Sequence, residues 1–140
     1  MTGRYSNSMI QPYFVVISHT LTLAASATAE LLVTAYAAGT SYTTGQVCSS
    51  GGKVYAALRS TTGDTPASSA SDWRELSPRA VLMSAPGTNS ADVTWGSATH
   101  QAQVLAAGGT AVKLSVDTDG LLAIYAKGTI SDVVNYMIFE

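Results

Sequence analysis

Two histidines, one cysteine and nine carboxylates are the side chains of this 140-residue chain that could carry acid–base, nucleophilic or metal chemistry. A hydrolase needs positioned acids, or a nucleophile beside its base. Glu30, Asp64, Asp72, Glu75, Asp92, Asp117, Asp119, Asp132 and Glu140 are spread along the chain, most of them in or next to predicted turns. Asp64 precedes Thr65-Pro66, Asp119 precedes Gly120 and Asp132 follows Ile130-Ser131, positions that turn chemistry explains. No Gly-x-Ser-x-Gly elbow precedes a helix, so a serine triad has no frame. Cys48 reads as a buried thiol beside a hairpin, distant in sequence from both His19 and His100. One cysteine allows no intrachain disulfide and, with two histidines, no four-ligand zinc framework. "DTD" (117–119) lacks the further oxygen ligands and late Glu of a calcium loop. "SSGG" and "GGT" are turn glycines, and neither opens a helix as a phosphate loop must. The sequence therefore predicts no enzyme: no catalytic residue, no metal and no cofactor.

What is left is surface. Charged residues make up only 11% of the chain, less than half the usual quarter, while apolar residues make up 46%. A surface so poor in charge favours an assembly subunit partly covered by its partners. Arg4, Lys53, Arg59, Arg74, Arg79, Lys113 and Lys127 are scattered singly, whereas nucleic-acid binding needs a clustered basic face. No run reaches the roughly 18 apolar residues of a membrane helix. Arg4, "YFVVI" and "AASATA" imitate a secretory signal, but Gln11, Pro12, Ser18, His19, Thr20 and Thr22 interrupt its apolar region, and none is expected.

The elements that would position any site read as strands. Residues 1–12 are a polar arm. "YFVVIS" (13–18) is a β-branched buried strand, and "HTLTLAA" (19–25) alternates with Leu21 and Leu23 inward and Thr20 and Thr22 outward. In "SATAELLVTAY" (26–36) Ser26 could cap a short helix, but Val33 and Thr34 suit a strand better. Pro78 and "SAPGTNS" mark a connector and a loop. "ADVTW", "HQAQVLA", "AVKLSV", "LLAIYAKG" and "VVNYMIFE" follow as short strands. Asp119-Gly120 lies between two alternating runs and predicts a hairpin, with Val112, Leu114 and Val116 on one face and Leu122, Ile124 and Ala126 on the same face of the partner strand. The expectation is an all-β fold, a small β-sandwich or meander of residues 13–34 and 80–140, with an inserted three-stranded unit at 35–77.

That middle stretch carries its own punctuation. Gly51-Gly52 lies between "QVCSS" and "KVYAAL" and predicts a tight hairpin that places Val47 and Tyr55 on facing strands. Gly63-Asp64 and Pro66 mark a loop, after which Trp73 returns over the hairpin. A unit of about 40 residues has little surface to bury, so its large aromatics must supply much of the core. The order of Tyr36, Tyr42, Gly45, Val47, Gly52, Lys53, Tyr55, Ala57, Gly63, Pro66 and Trp73 resembles the chitin-type carbohydrate-binding modules of family 5/12. The resemblance covers about 40 of the 140 residues. It implies a small β unit framed by Gly45, Val47, Gly52, Tyr55, Ala57, Gly63, Pro66 and Trp73. Sugar-binding members carry a tryptophan-rich pair after the Tyr-x-Ala strand, where this chain has Leu58-Arg59. Gln46 stands in place of the family's Asp, and Tyr36 in place of its opening tryptophan. The frame matches and the stacking platform does not.

Modules of this kind recur in bacteriophage fibre and other virion proteins, so the resemblance implies a virion structural protein. A capsid decoration or head-fibre subunit, homo-oligomeric with a trimer favoured, would dock on the major capsid protein or other virion proteins through its arm and β-rich base. The module would project outward or touch neighbouring copies. The alternative is a tail-fibre or receptor-binding subunit that grips host glycan with Tyr36, Tyr42 and Trp73. A second alternative is a secreted carbohydrate-binding module. Virion localisation on the capsid surface is expected, with no nucleic-acid or membrane partner. A receptor-reaching fibre is usually long and repetitive, and this chain has neither repeats nor heptads.

Overall fold

The computed structural model describes residues 16–140. The expected arm at 1–12 and the start of the expected strand at 13–18 lie outside them. Strands take 44% of the molecule and helix 6%, so the fold is all-β. In chain order the strands are β1 (Val16–Thr22), β2 (Glu30–Leu31), β3 (Ser41–Tyr42), β4 (Val47–Ser50), β5 (Lys53–Ala57), β6 (Thr61–Thr62), β7 (Trp73–Leu76), β8 (Ala80–Ser84), β9 (Val93–Gly96), β10 (Gln103–Leu105), β11 (Val112–Ser115), β12 (Tyr125–Lys127) and β13 (Val133–Phe139). A 3-10 turn (Pro66–Ser68) and a single helical turn, α1 (Thr118–Leu121), interrupt them.

Two four-stranded antiparallel sheets form the body, ordered β1-β13-β8-β11 and β10-β9-β12-β2. The order excludes a simple meander, because among these pairings only β9 and β10 are consecutive in the chain. The two long strands meet from opposite ends of the described chain, Val16 opposite Phe139 through Thr22 opposite Val133. Along β13, Val134, Tyr136 and Ile138 are buried while Asn135 and Met137 are exposed, the period of two that a one-sided sheet requires. Inward residues of both sheets, including Leu21, Val81, Met83, Val93, Leu105, Ala126 and Val134, belong to one core. Each fully buried aliphatic side chain of this kind stabilises by about 1.5–3 kcal/mol relative to exposure.

The middle unit adds sheets β4-β5-β7 and β3-β6. Its expected hairpin forms: Gly51 and Gly52 have φ +59° and +78°, the two left-handed positions a tight two-residue turn demands. Val47 pairs with Ala56, and Cys48 with Tyr55. The unit does not close on its aromatics alone. Val47, Val54, Ala56 and Leu76 on one face of β4-β5-β7 join the body's core, and only the other face carries the aromatic cluster. Three further ties bind it to the body. The Ser49 N–H donates to Thr34 O at 2.9 Å. Arg74 pairs with Glu140 at 2.8 Å. The Ser77 N–H donates to the other Glu140 oxygen at 2.7 Å.

Several local expectations are corrected. One strand, β1, runs through the expected break at 18–19. Of residues 26–36 only Glu30–Leu31 forms a named strand. Ala27 turns with φ +60°, and the Glu30 carboxylate accepts from the Ala24 and Ala25 N–H groups. The stretch taken as connector contains β8, a central strand paired to both β13 and β11. The Asp119-Gly120 hairpin does not form. Asp117 caps α1, its carboxylate accepting from Gly120 N–H at 2.8 Å. The two flanking strands enter different sheets, β11 on β8 and β12 between β9 and β2.

Candidate functional site

Two surfaces compete for a functional role, the aromatic face of the middle unit and the outer face of the sheet β1-β13-β8-β11. The first is built by β3, β5 and β7. Tyr36 stacks on Tyr42 at 5.8 Å between ring centroids, and Trp73 meets Tyr42 and Tyr36 edge-on at 5.0 and 6.1 Å. Trp73 Nε1–H donates to Asp64 O at 2.8 Å, and the Tyr42 hydroxyl accepts from Ala37 N–H at 3.0 Å. Trp73 is 3% exposed and Tyr42 8%, so neither offers the open ring face that a pyranose would stack on. Tyr36 is half-buried, with its hydroxyl enclosed. The three candidate glycan contacts come together, but as a packed cluster with Tyr55, Cys48 and Ala57. Gly45 and Gly63 sit in left-handed turns (φ +89° and +85°), and Pro66 is buried, so the frame residues do structural work.

Just after β5, Leu58 is exposed. The Arg59 guanidinium is drawn over Asp72 through Nε and over Ser71 through Nη2 at 3.2 Å. An aliphatic tip beside a tethered guanidinium suits a protein contact better than a sugar ring. Lys53 and Glu75 pair at 3.3 Å at the exposed end of the same face.

The second surface was not singled out from the sequence. Ser18 and Thr20 of β1, Asn135 and Met137 of β13, and Leu82 and Ser84 of β8 line a groove of about 340 Å³ on the sheet's outer face. Met137 and Leu82 are partly exposed within it. Thr20 Oγ1 donates to Asn135 Oδ1 at 2.9 Å, and Lys113 Nζ lies 5.1 Å from the Phe139 ring centroid nearby. The groove itself carries no carboxylate or ammonium group. The signal was present in "VVNYMIFE": its strict alternation puts Met137 and Phe139 opposite to Val134, Tyr136 and Ile138.

The titratable groups are dispersed into structural tasks. Asp132 accepts from Ser90 N–H, Ser90 Oγ–H and Ala91 N–H. The Ser90 backbone bond leads in holding its carboxyl below the ordinary range. Asp92 accepts from Ala107 N–H at 2.9 Å. Burial pushes the Cys48 thiol up to about 11, so it stays protonated and poorly nucleophilic at neutral pH. Burial also raises the Tyr136 hydroxyl and lowers the imidazole of His19, which meets the Tyr136 ring edge-on at 5.7 Å. His100 is exposed in the loop before β10. Among the described residues no three His, Cys, Asp or Glu side chains gather as a metal site, and no helix is long and apolar enough to cross a membrane. Comparison with family models, curated proteins and solved structures gives no significant match.

Proposed function

We propose that this chain is a structural subunit of a bacteriophage particle, a capsid decoration or head-fibre protein that docks through its N-terminal arm and β-rich base. The observation that carries the docking is the groove over β1, β13 and β8, with Met137 and Leu82 as its apolar floor and hydroxyls and an amide as its rim. Such a face binds by shape and buried area rather than by charge. The 11% charge content of the chain supports the same reading. The phage setting rests on the resemblance of residues 35–76 to modules found in virion proteins. The partner is the major capsid protein, the assembly is a homo-oligomer with a trimer favoured, and the location is the capsid surface. The chain does no chemistry in this role. Binding of host glycan by Tyr36, Tyr42 and Trp73 loses support, because their rings pack on one another.

Cosedimentation with empty phage shells tests the reading. The expected result is saturable binding at many copies per shell. Met137→Glu, which keeps the fold because its side chain points outward, lowers that binding by about tenfold or more if Met137 is an anchor. Removal of residues 1–12 abolishes docking and leaves the core folded. Failure of the parent chain to bind any shell, or full decoration by Met137→Glu, overturns the proposal.

A further inference from the structure

The two sheets of the body end in four strands with one neighbour each, and three of these edges are blunted. β2 is two residues long and carries Glu30, β10 has three residues, and β11 has four with Lys113 among them. Short strands and edge charges are devices that keep a sheet from pairing with other chains. β1 has neither. It is seven residues long, Val16–Thr22, and holds no Asp, Glu, Lys, Arg or Pro. Its one neighbour in the sheet, among the described residues, is β13.

The register shows which backbone groups of β1 stay open. Leu23 N–H donates to Asp132 O at 2.9 Å, and Leu23 O accepts from Ser131 N–H at 2.9 Å, so the backbone of Leu23 points to the β13 side. Successive residues of a strand direct their backbone groups to opposite edges. Leu21, His19 and Ile17, opposite Val134, Tyr136 and Ile138, therefore bond to β13. Ser18, Thr20 and Thr22 direct their N–H and C=O groups to the other edge, where no backbone bond joins them to another described segment. All three residues are exposed.

This edge is complementary to itself. In antiparallel pairing about a two-fold axis at Thr20, Thr20 faces its own counterpart and Ser18 faces the counterpart of Thr22. Each of these pairs matches open N–H and C=O groups on both strands and exchanges two backbone bonds. Each also sets hydroxyl opposite hydroxyl, a favourable cross-strand combination, and opposes no like charges. The axis stands perpendicular to the sheet, so the grooves of the two copies come to lie on the same side.

We propose that β1 is a self-association edge, through which two copies of this chain join their sheets β1-β13-β8-β11 into one eight-stranded sheet. The contact follows from the edge geometry and does not rest on the phage setting. Being two-fold, it is distinct from the three-fold contact favoured above and would link such trimers in pairs. Seven residues span only about 23 Å. The contact therefore falls below the standard interface of about 1,600 Å², and association is expected in the micromolar to millimolar range.

Cysteine cross-linking of the full chain reads the register, because Cys48 is buried and stays out of the reaction. A hydrogen-bonded antiparallel pair has its Cα atoms about 5.5 Å apart, within the roughly 4.4–6.8 Å that a disulfide spans. Under mild oxidation Thr20→Cys forms a disulfide dimer about tenfold or more faster than Val104→Cys, an exposed position on β10 that reports random collision. Ser18→Cys and Thr22→Cys cross-link slowly alone and rapidly when mixed. Sedimentation of the parent chain shows a reversible, concentration-dependent doubling of mass. Thr22 does not line the docking groove, and Thr22→Lys weakens the doubling by about tenfold or more. The proposal is overturned if Thr20→Cys cross-links no faster than Val104→Cys, or if mixing the Ser18→Cys and Thr22→Cys chains brings no gain. It is also overturned if Thr22→Lys leaves the doubling unchanged. A Thr20→Cys cross-link that forms only after removal of residues 1–12 overturns it too, because the edge then belongs to the chain's own N-terminal segment.

Discussion

The two faces of the small sheet β4-β5-β7 are made of the same three strands and do opposite things. One face presents Val47, Val54, Ala56 and Leu76 to the body and shares its core. The other presents Cys48, Tyr55, Ala57 and Trp73, which close with Tyr42 and Tyr36 into an aromatic cluster of their own. The alternation of β-strand side chains permits this division. It teaches that the middle stretch is joined to the body through its aliphatic side, while its aromatic side is spent on holding its own loops in place. A projecting sugar-binding unit would need the reverse: a self-sufficient core and an open aromatic surface.

Substitutions on the two faces sharpen this comparison. Trp73→Ala should have the largest effect, about 3–5 kcal/mol of stability, because it empties the centre of the aromatic face and removes the bond to Asp64 O. Chemical denaturation measures it. Leu76→Ala on the opposite face should cost about 2–5 kcal/mol. Its diagnostic is cooperativity: both variants shift one common transition by fluorescence and by circular dichroism. Separate transitions for the tryptophan signal and the backbone signal would break the shared-core account.

Glu140→Gln probes the polar tie between the unit and β13. Arg74 is partly solvated, so the loss should be about 1–2 kcal/mol, read as a lower denaturation midpoint with an unchanged slope. The pH dependence of stability tests the burial of His19. Burial lowers the His19 pKa below 6.5, so the unfolded chain takes up the proton first as pH falls. Stability is full above about pH 6.5 and declines below it, and His19→Gln should flatten that part of the profile. The smallest change is expected for Lys53→Ala at the exposed rim, about 0–1 kcal/mol, since both members of its pair are half-exposed. A large loss there would mean that the rim matters more to the aromatic face than its burial implies.

Much of the local structure was legible. Alternation in "HTLTLAA" located part of β1, "VVNYMIFE" reads as the strand that is β13, and the Gly-Gly turn gave the β4–β5 hairpin. The misreadings are instructive. "AVLMS" has no clean alternation, because Ala80 and Val81 are both buried in a strand with neighbours on each side, and its position beside Pro78 masked it as a connector. Asp119-Gly120 is a good turn dipeptide, yet Asp117 spends its carboxylate on capping a helical turn instead. The aromatic residues were found, but their type and spacing cannot distinguish an exposed platform from a packed cluster.

By itself the sequence determined the β character, the turn positions and the inward and outward sides of the long strands, since these depend on backbone sterics and on a period-two pattern within a few residues. Only the tertiary structure decided which strands pair and what each face meets. Val16 opposite Phe139 and β8 between β13 and β11 both depend on contacts between distant segments. Antiparallel backbone hydrogen bonding is nearly the same for any two strands, so the choice of partner rests on how the side chains of the whole core fill space together.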